Sequence, residues 1–101
     1  MSREEKLKSA IIMYHGQECP HCRAMMPLVQ KLEESEGIKL EKKEVWHNEK
    51  NAEEMRERGN KIRETCGGFL GTPTFFSTKT GSALCGEVPY EKLAEWSIEN
   101  I

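Results

Sequence analysis

The sequence contains no aspartate, and all 17 of its acidic residues are glutamate. This absence excludes aspartate-based catalytic triads, EF-hand calcium loops and Walker B metal sites. No apolar run approaches the roughly 18 residues that a membrane span requires, and the charged residues 1–9 do not lead into a secretory signal peptide. We therefore expect a cytoplasmic protein with no membrane partner, whose chemistry depends on groups other than aspartate.

Size and charge predict an ordinary globular protein. The 101 residues suit one domain, so we expect a single domain over residues 1–101 that is a monomer. Hydrophobic residues make up 37% and charged residues 32% of the chain, which is typical of a folded rather than a disordered protein. The formal net charge of -2 gives no electrostatic reason to expect a nucleic-acid partner.

Hydrophobic periodicity predicts alternating strands and helices. Residues 10–14 are almost continuously apolar, which predicts a strand buried on both faces of a sheet. In the last helix, Leu93, Trp96 and Ile101 are predicted to face inward. The order predicts an α/β three-layer sandwich, with a central mixed sheet of about four strands flanked by helices. The predicted elements are a strand at 10–14, a helix at about 22–36 that Pro27 kinks, a strand within 38–46, a charged helix at 48–65, strands at 74–77 and 82–85 that form a hairpin, and a helix that opens at Pro89.

The motif Cys19-Pro20-His21-Cys22 lies where the first predicted strand ends and the first helix begins. Free backbone N–H groups and the positive end of the helix dipole favour a thiolate at Cys19. Cys22 falls one helical turn further along the same face, so it can attack a mixed disulfide at Cys19. Pro20 restricts the turn, and His21 can stabilise the thiolate and make the pair more oxidising.

A Cys-x-x-Cys pair is also half of a zinc site, so a metal has to be considered. Cys66 and Cys85 could complete a set of four thiolates with Cys19 and Cys22. The position of the motif, directly after a buried strand within a βαβ pattern, favours redox chemistry over zinc. We therefore expect no metal at this motif.

About fifty residues downstream, residues 71–76 read Gly-Thr-Pro-Thr-Phe-Phe. Together with the Cys-Pro-His-Cys motif and the element order, this segment makes nearly the whole chain resemble the thioredoxin superfamily. The resemblance implies a thioredoxin-like fold, with Cys19 as the attacking thiol and Cys22 as the resolving thiol. It also implies that the Thr72–Pro73 bond is cis and that the Thr72 backbone pairs with an extended substrate strand. Pro73 and Gly86, the glycine before the last helix, are assigned to the same substrate-binding groove.

The resemblance implies a thiol-disulfide oxidoreductase that acts on protein disulfides. It would need no bound cofactor and would be recycled by a reductase or a low-molecular-weight thiol. Two features differ from thioredoxins proper, because Glu18 stands where they usually have Trp and Met13 stands where many bury an acid. A glutathione-dependent, glutaredoxin-like role and a non-enzymatic thioredoxin-like scaffold therefore remain alternatives.

Three further residues flank the downstream motif, and the sequence leaves their roles open. Cys66 and Cys85 are either small buried hydrophobic residues or the partners of a second, regulatory disulfide. Phe69 is either a core residue or part of a hydrophobic rim that binds substrate beside the sulfur.

Overall fold

A computed structural model of the chain describes residues 7–68 and 70–101. Its sheet has the strand order β2-β1-β3-β4, and helices cover both faces, which confirms the predicted fold class. The elements are β1 (Leu7–His15), α1 (Pro20–Glu36), β2 (Ile38–Glu44), α2 (Glu49–Glu57), α3 (Gly59–Thr65), β3 (Thr74–Ser77), β4 (Ala83–Cys85) and α4 (Tyr90–Asn100).

The sheet is mixed, as predicted. Strand β1 runs parallel to β2 on one side and antiparallel to β3 on the other, and β4 pairs antiparallel with β3. This pairing makes β1 an inner strand and brings the start of β3 beside its end, where His15 leads into the cysteine motif. The topology therefore places the two sequence motifs at the same end of the sheet.

Strand β1 is buried on both faces because its side chains alternate between two cores. Ile11 and Met13 belong to the core under α1 and α4, whereas Ile12 and Tyr14 belong to the core under α2 and α3. Each of these four side chains is at most 4% exposed, so the apolar run that predicted a doubly buried strand is confirmed. The strand is longer than residues 10–14, because its pairing with β2 extends back to Leu7.

The charged segment predicted as one helix at 48–65 is two helices. Helix α2 ends at Glu57 and α3 begins at Gly59, with Arg58 outside the helical region at φ -93° and ψ 5°. Gly59 is buried, and a Cβ on it would lie 3.5 Å from Leu70 and 3.2 Å from the Arg63 guanidinium. Glycine also lowers helix stability, so the chain breaks here and lets a second short helix pack against the sheet.

One other predicted boundary and one predicted orientation differ from the structure. Helix α1 begins at Pro20 instead of Cys22, because proline suits the first position of a helix. Strand β2 ends at Glu44 and so lies within the predicted stretch 38–46, and Trp46 lies beyond the sheet with 51% of its surface exposed. Ile101 follows the end of α4 and is 38% exposed, whereas Leu93 faces inward as predicted and is fully buried.

Across residues 7–68 and 70–101, no helix combines the length and the apolar character needed to cross a membrane.

Candidate active site

A tight turn and a helix start fix the position of Cys19. The Cys19 N–H donates to the Gly16 carbonyl at 3.1 Å, which folds the chain back directly after β1. Cys19 is then the N-cap of α1, with extended backbone angles, and Pro20 is the first residue of the helix. The Cys22 N–H donates to the Cys19 sulfur at 3.2 Å, where a serine or aspartate oxygen commonly sits in other helices. The predicted placement of this sulfur at a helix N-terminus is therefore confirmed.

The downstream motif contacts the same sulfur. The Thr72 hydroxyl donates to the Cys19 sulfur at 3.4 Å, and the Thr72 carbonyl lies 3.8 Å from that sulfur, within reach as an acceptor of the thiol hydrogen. The Thr72–Pro73 bond is cis, in agreement with the expectation from the resemblance. The structure thus brings Cys19, Cys22, Thr72 and Pro73 together.

Both cysteines of the motif are free thiols, and both are buried. Cys19 is 3% exposed and Cys22 is 1% exposed, so the position at a helix N-terminus does not leave the first sulfur open to solvent. The turn from Gly16 and the contact with Thr72 cover Cys19. A difference in reactivity between the two thiols must therefore come from their ionisation rather than from their exposure.

The two thiols are shifted in opposite directions. Burial acts to raise the pKa of Cys19, but hydrogen bonds from the side chains of Cys22 and Thr72 act to lower it. Backbone N–H groups of Cys22 and His21 add to the lowering, so the pKa of Cys19 lies below its ordinary value. Burial and the hydrogen bond to Cys19 raise the pKa of Cys22 to about 11. The two pKa values are therefore moved apart, which favours the thiolate at Cys19 and the thiol at Cys22.

His21 projects from the motif into solvent and pairs with Glu87. Its Nδ1 lies 2.9 Å from the Glu87 Oε1, and the two side chains are 70% and 50% exposed. The hydrogen bond to Glu87 raises the pKa of His21, and the negative charges of Glu87 and Cys19 act in the same direction. A larger share of His21 is therefore protonated close to the Cys19 sulfur at a given pH.

An open groove with a volume of about 870 Å³ runs beside the motif. It contains Thr72 and Gly86, two of the residues that the sequence assigned to substrate binding. The Gly86 N–H donates to the Pro73 carbonyl at 2.8 Å, so the two loops that border the groove are tied together. Phe69, which was also assigned to substrate binding, lies outside the described residues. The residues that line the groove are His21, Leu28, Thr72, Gly86, Glu87, Val88, Pro89 and Tyr90.

The four cysteines do not assemble into one set. Cys19 and Cys22 belong to the core under α1 and α4, whereas Cys66 and Cys85 pack against the opposite core. Cys66 and Cys85 form a disulfide whose Cα atoms are 6.0 Å apart, so they are not simple buried hydrophobic residues. In the part of the chain that the structure describes, no three His, Cys or Glu side chains are grouped as metal ligands. The four-thiolate zinc alternative therefore has no site here.

Sequence reasoning missed two neighbours of the motif. Glu87 comes from the loop after β4. In the sequence it is only a charged residue next to Gly86, and nothing there indicates that it meets His21. Trp46 packs its indole on Gly16, so closely that a Cβ at Gly16 would overlap the ring. A glycine directly before the motif was the one available hint that another chain segment approaches there.

No model of a known protein family matches the sequence, and no curated protein matches it. Solved structures do match the fold. The glutaredoxin from Methanosarcina mazei Go1 superposes with a TM-score of 0.62 at 21% identity, over 90% of this chain and 81% of that chain. A mutant thioredoxin from Halobacterium salinarum NRC-1 gives 0.61 at 16% identity, over 99% of this chain and 94% of that chain.

A third match is the glutaredoxin from Archaeoglobus fulgidus, with a TM-score of 0.58 at 19% identity, over 86% of this chain and 84% of that chain. Identities this low establish the architecture and leave the activity to be argued from the site itself. The chain therefore has the α/β fold that glutaredoxins and thioredoxins share.

Proposed function

We propose that this protein is a thiol-disulfide oxidoreductase that acts on protein disulfides, with Cys19 as the nucleophile and Cys22 as the resolving thiol. One observation carries the proposal: the Cys22 N–H and the Thr72 hydroxyl both donate to the Cys19 sulfur and lower the pKa of Cys19, while the pKa of the adjacent Cys22 is raised to about 11. A purely structural pair of cysteines has no need of opposite ionisation.

The exchange takes place in two steps. The Cys19 thiolate attacks one sulfur of the substrate disulfide, forms a mixed disulfide and releases the other substrate sulfur as a thiolate, which takes up a proton. Cys22 then loses its proton and attacks the Cys19 sulfur, which releases the second substrate thiol and leaves a Cys19–Cys22 disulfide. Because Met13 fills the position where the resemblance places a buried acid, water or a glutamate has to accept the Cys22 proton.

Substrate binding is assigned to the groove beside Cys19. An extended substrate segment would pair with the backbone of Thr72 and lie along Gly86, which tolerates many sequences because main-chain groups supply the hydrogen bonds. Apolar side chains from Leu28 and Val88 line the same groove and suit the side chains of an unfolded or flexible protein segment. A reductase or a low-molecular-weight thiol would return the pair to its dithiol form.

A trapping experiment tests these assignments. Purified Cys22→Ser protein is mixed with insulin whose disulfides are intact. The mixture is quenched in acid and analysed by mass spectrometry under non-reducing conditions. We expect a mixed disulfide between Cys19 and insulin to accumulate, because the second step is lost. Cys19→Ser is the matched control and should form no adduct at Cys22, whose thiol is poorly ionised. Absence of an adduct from Cys22→Ser, together with no insulin reduction by the unchanged protein, would support the scaffold alternative.

A glutathione-dependent role is the second candidate. Two of the structural neighbours carry the name glutaredoxin, and the groove places Tyr90 and the carboxylate of Glu87 close to the motif. Rates of reduction of a glutathionylated peptide and of insulin separate the two roles. A rate that depends on glutathione concentration and is confined to the glutathionylated peptide would favour the second role.

A further inference from the structure

The Cys66–Cys85 disulfide joins two segments that lead directly to the candidate active site. Cys66 is the C-cap of α3, and its N–H donates to the Ile62 carbonyl at 2.9 Å. Cys85 is the last residue of β4 and stands opposite Thr74 in the strand pairing. The residue after Cys85, Gly86, donates its N–H to the Pro73 carbonyl. The disulfide is therefore one residue away from Gly86, whose hydrogen bond reaches the loop that holds Thr72 against Cys19.

The chain on the Cys66 side of this bond is loosely packed. Gly67 and Gly68 follow at once with positive φ angles of 65° and 94°, and no atom lies within 4 Å of a Cβ built on either residue. One backbone hydrogen bond, from the Gly68 N–H to the Arg63 carbonyl at 2.7 Å, ties this turn to α3, and glycine backbone with open space around it has little else to restrain it. The disulfide supplies such a restraint, since it fixes the start of the segment that runs from Cys66 to Gly71.

Both cysteines are only partly buried, in contrast to Cys19 and Cys22. Each of the two residues therefore keeps part of its surface in contact with solvent. Cys19 and Cys22 belong to the core on the opposite face of the sheet, which separates the two pairs within one molecule. Electrons for the second pair must consequently come from a separate thiol.

We propose that Cys66 and Cys85 form a second redox site, which exchanges with low-molecular-weight thiols and whose oxidation state sets how firmly the loop at residues 71–73 is held beside Cys19. The inference rests on the proposed function, because it assigns Thr72 to substrate binding. The oxidised pair fixes the loop in its binding position, and reduction of the pair loosens the loop and weakens substrate binding. The Cys66–Cys85 site would thus adjust substrate binding at the Cys19–Cys22 site without taking part in the exchange reaction there.

The exchange balances with two equivalents of thiol. A thiolate of the reductant attacks the Cys66 sulfur and forms a mixed disulfide, while the Cys85 sulfur leaves as a thiolate and takes up a proton. Cys66 is the attacked sulfur because a thiolate at the C-terminal end of α3 is disfavoured by the helix dipole, which makes Cys85 the better leaving group. A second thiol displaces Cys66, so two thiols become one disulfide and the protein gains two electrons and two protons.

The first experiment isolates the second site in the Cys19→Ser/Cys22→Ser variant. The protein is equilibrated in buffers with different ratios of reduced to oxidised glutathione, quenched in acid, alkylated and weighed by mass spectrometry. We expect the Cys66–Cys85 pair to pass from mainly oxidised to mainly reduced within the accessible ratios, as a labile disulfide does. A pair that stays oxidised at every ratio is a structural crosslink and overturns the proposal.

The second experiment measures the loop. Hydrogen exchange is compared between the oxidised and reduced forms of the same Cys19→Ser/Cys22→Ser protein. Reduction should speed exchange in residues 67–74 and leave the paired amides of β1 and β2 protected. Loss of protection throughout the sheet would mean that the bond only stabilises the fold and would contradict a regulatory role.

The third experiment connects the site to activity. Cys66→Ser/Cys85→Ser should raise the KM for a disulfide-containing peptide about threefold to tenfold, because more binding energy is used to order the loop, and should change kcat by less than about twofold. Unchanged KM and kcat would overturn the proposed coupling. If neither this variant nor the unchanged protein shows exchange at Cys19 while both are folded, the proposed function fails, whereas the glutathione titration still decides whether the second site is redox-active.

Discussion

The Thr72 hydroxyl donates to the Cys19 sulfur at 3.4 Å, although 53 positions separate the two residues in the chain. This contact joins the loop before β3 to the N-terminus of α1. It both stabilises a thiolate and places the Thr72 backbone beside the sulfur that is proposed to attack the substrate.

Thr72→Val should slow the reaction of Cys19 with iodoacetamide at neutral pH, because the variant keeps the side-chain shape and loses the hydroxyl donor. A hydrogen bond to a charged group contributes about 1.5 kcal/mol or more, which corresponds to roughly a tenfold smaller thiolate fraction when it is lost. Alkylation rates between pH 4 and pH 9 give the pKa, and Thr72→Ser should stay close to the unchanged protein. Equal pH profiles of Cys19 alkylation for Thr72→Val and Thr72→Ser would show that the Thr72 hydroxyl has no effect on the thiolate.

Iodoacetamide should modify Cys19 well before Cys22 in the folded protein. Because the pKa of Cys19 is lowered, its thiolate is present at lower pH than that of an ordinary cysteine and persists as pH rises. Cys22, with a pKa of about 11, has a thiolate fraction on the order of one in 10⁴ at pH 7. Mass spectrometry of digested samples identifies the labelled residue, and unfolding in urea should bring the two rates together. Similar rates in the folded protein would argue against the roles of the two thiols.

His21→Val should raise the pKa of Cys19 and make the reduction potential of the Cys19–Cys22 pair more negative. The imidazolium favours the thiolate, which exists only in the reduced form, so its removal destabilises the reduced form at pH values above the Cys19 pKa. Glutathione titrations at pH 7 measure the potential.

Glu87→Gln provides the matched control for His21. It removes the carboxylate that raises the His21 pKa, so less imidazolium is present at pH 7 and the potential should move in the same direction by a smaller amount. At pH 5, where His21 is protonated with or without Glu87, the effect of this variant should shrink. A His21→Val protein with an unchanged potential would mean that the exposed imidazole is merely tolerated at this position.

Gly16→Ala should destabilise the protein by about 1 to 3 kcal/mol, because the added methyl group overlaps the Trp46 indole and forces it to move. Trp46→Ala removes the obstacle, so the double variant should lose less stability than the two single changes added together. Urea unfolding of the four proteins gives the coupling free energy. Additive losses of stability would show that the Trp46 indole moves aside without cost and that Gly16→Ala affects stability through another contact.

Local chemistry in the sequence was sufficient to predict most of the secondary-structure elements and the placement of the cysteine pair. An apolar run predicted the doubly buried β1, and the spacing of Cys19 and Cys22 at the end of that strand predicted a thiol at a helix N-terminus, since these properties depend only on near neighbours in the chain. The sequence did not predict the break at Gly59, because glycine within a polar helical pattern is tolerated or not according to what packs against it.

Long-range contacts were decided by the tertiary structure. The burial of Cys19 depends on Thr72, the charge of His21 on Glu87, and the state of Cys66 on its distance from Cys85, and none of these pairs is close in sequence. Composition and periodicity describe which residues turn toward a core, but they carry no information about which distant side chains meet there. Only the sheet order, which sets the ends of β1, β3 and β4 side by side, brought those partners together.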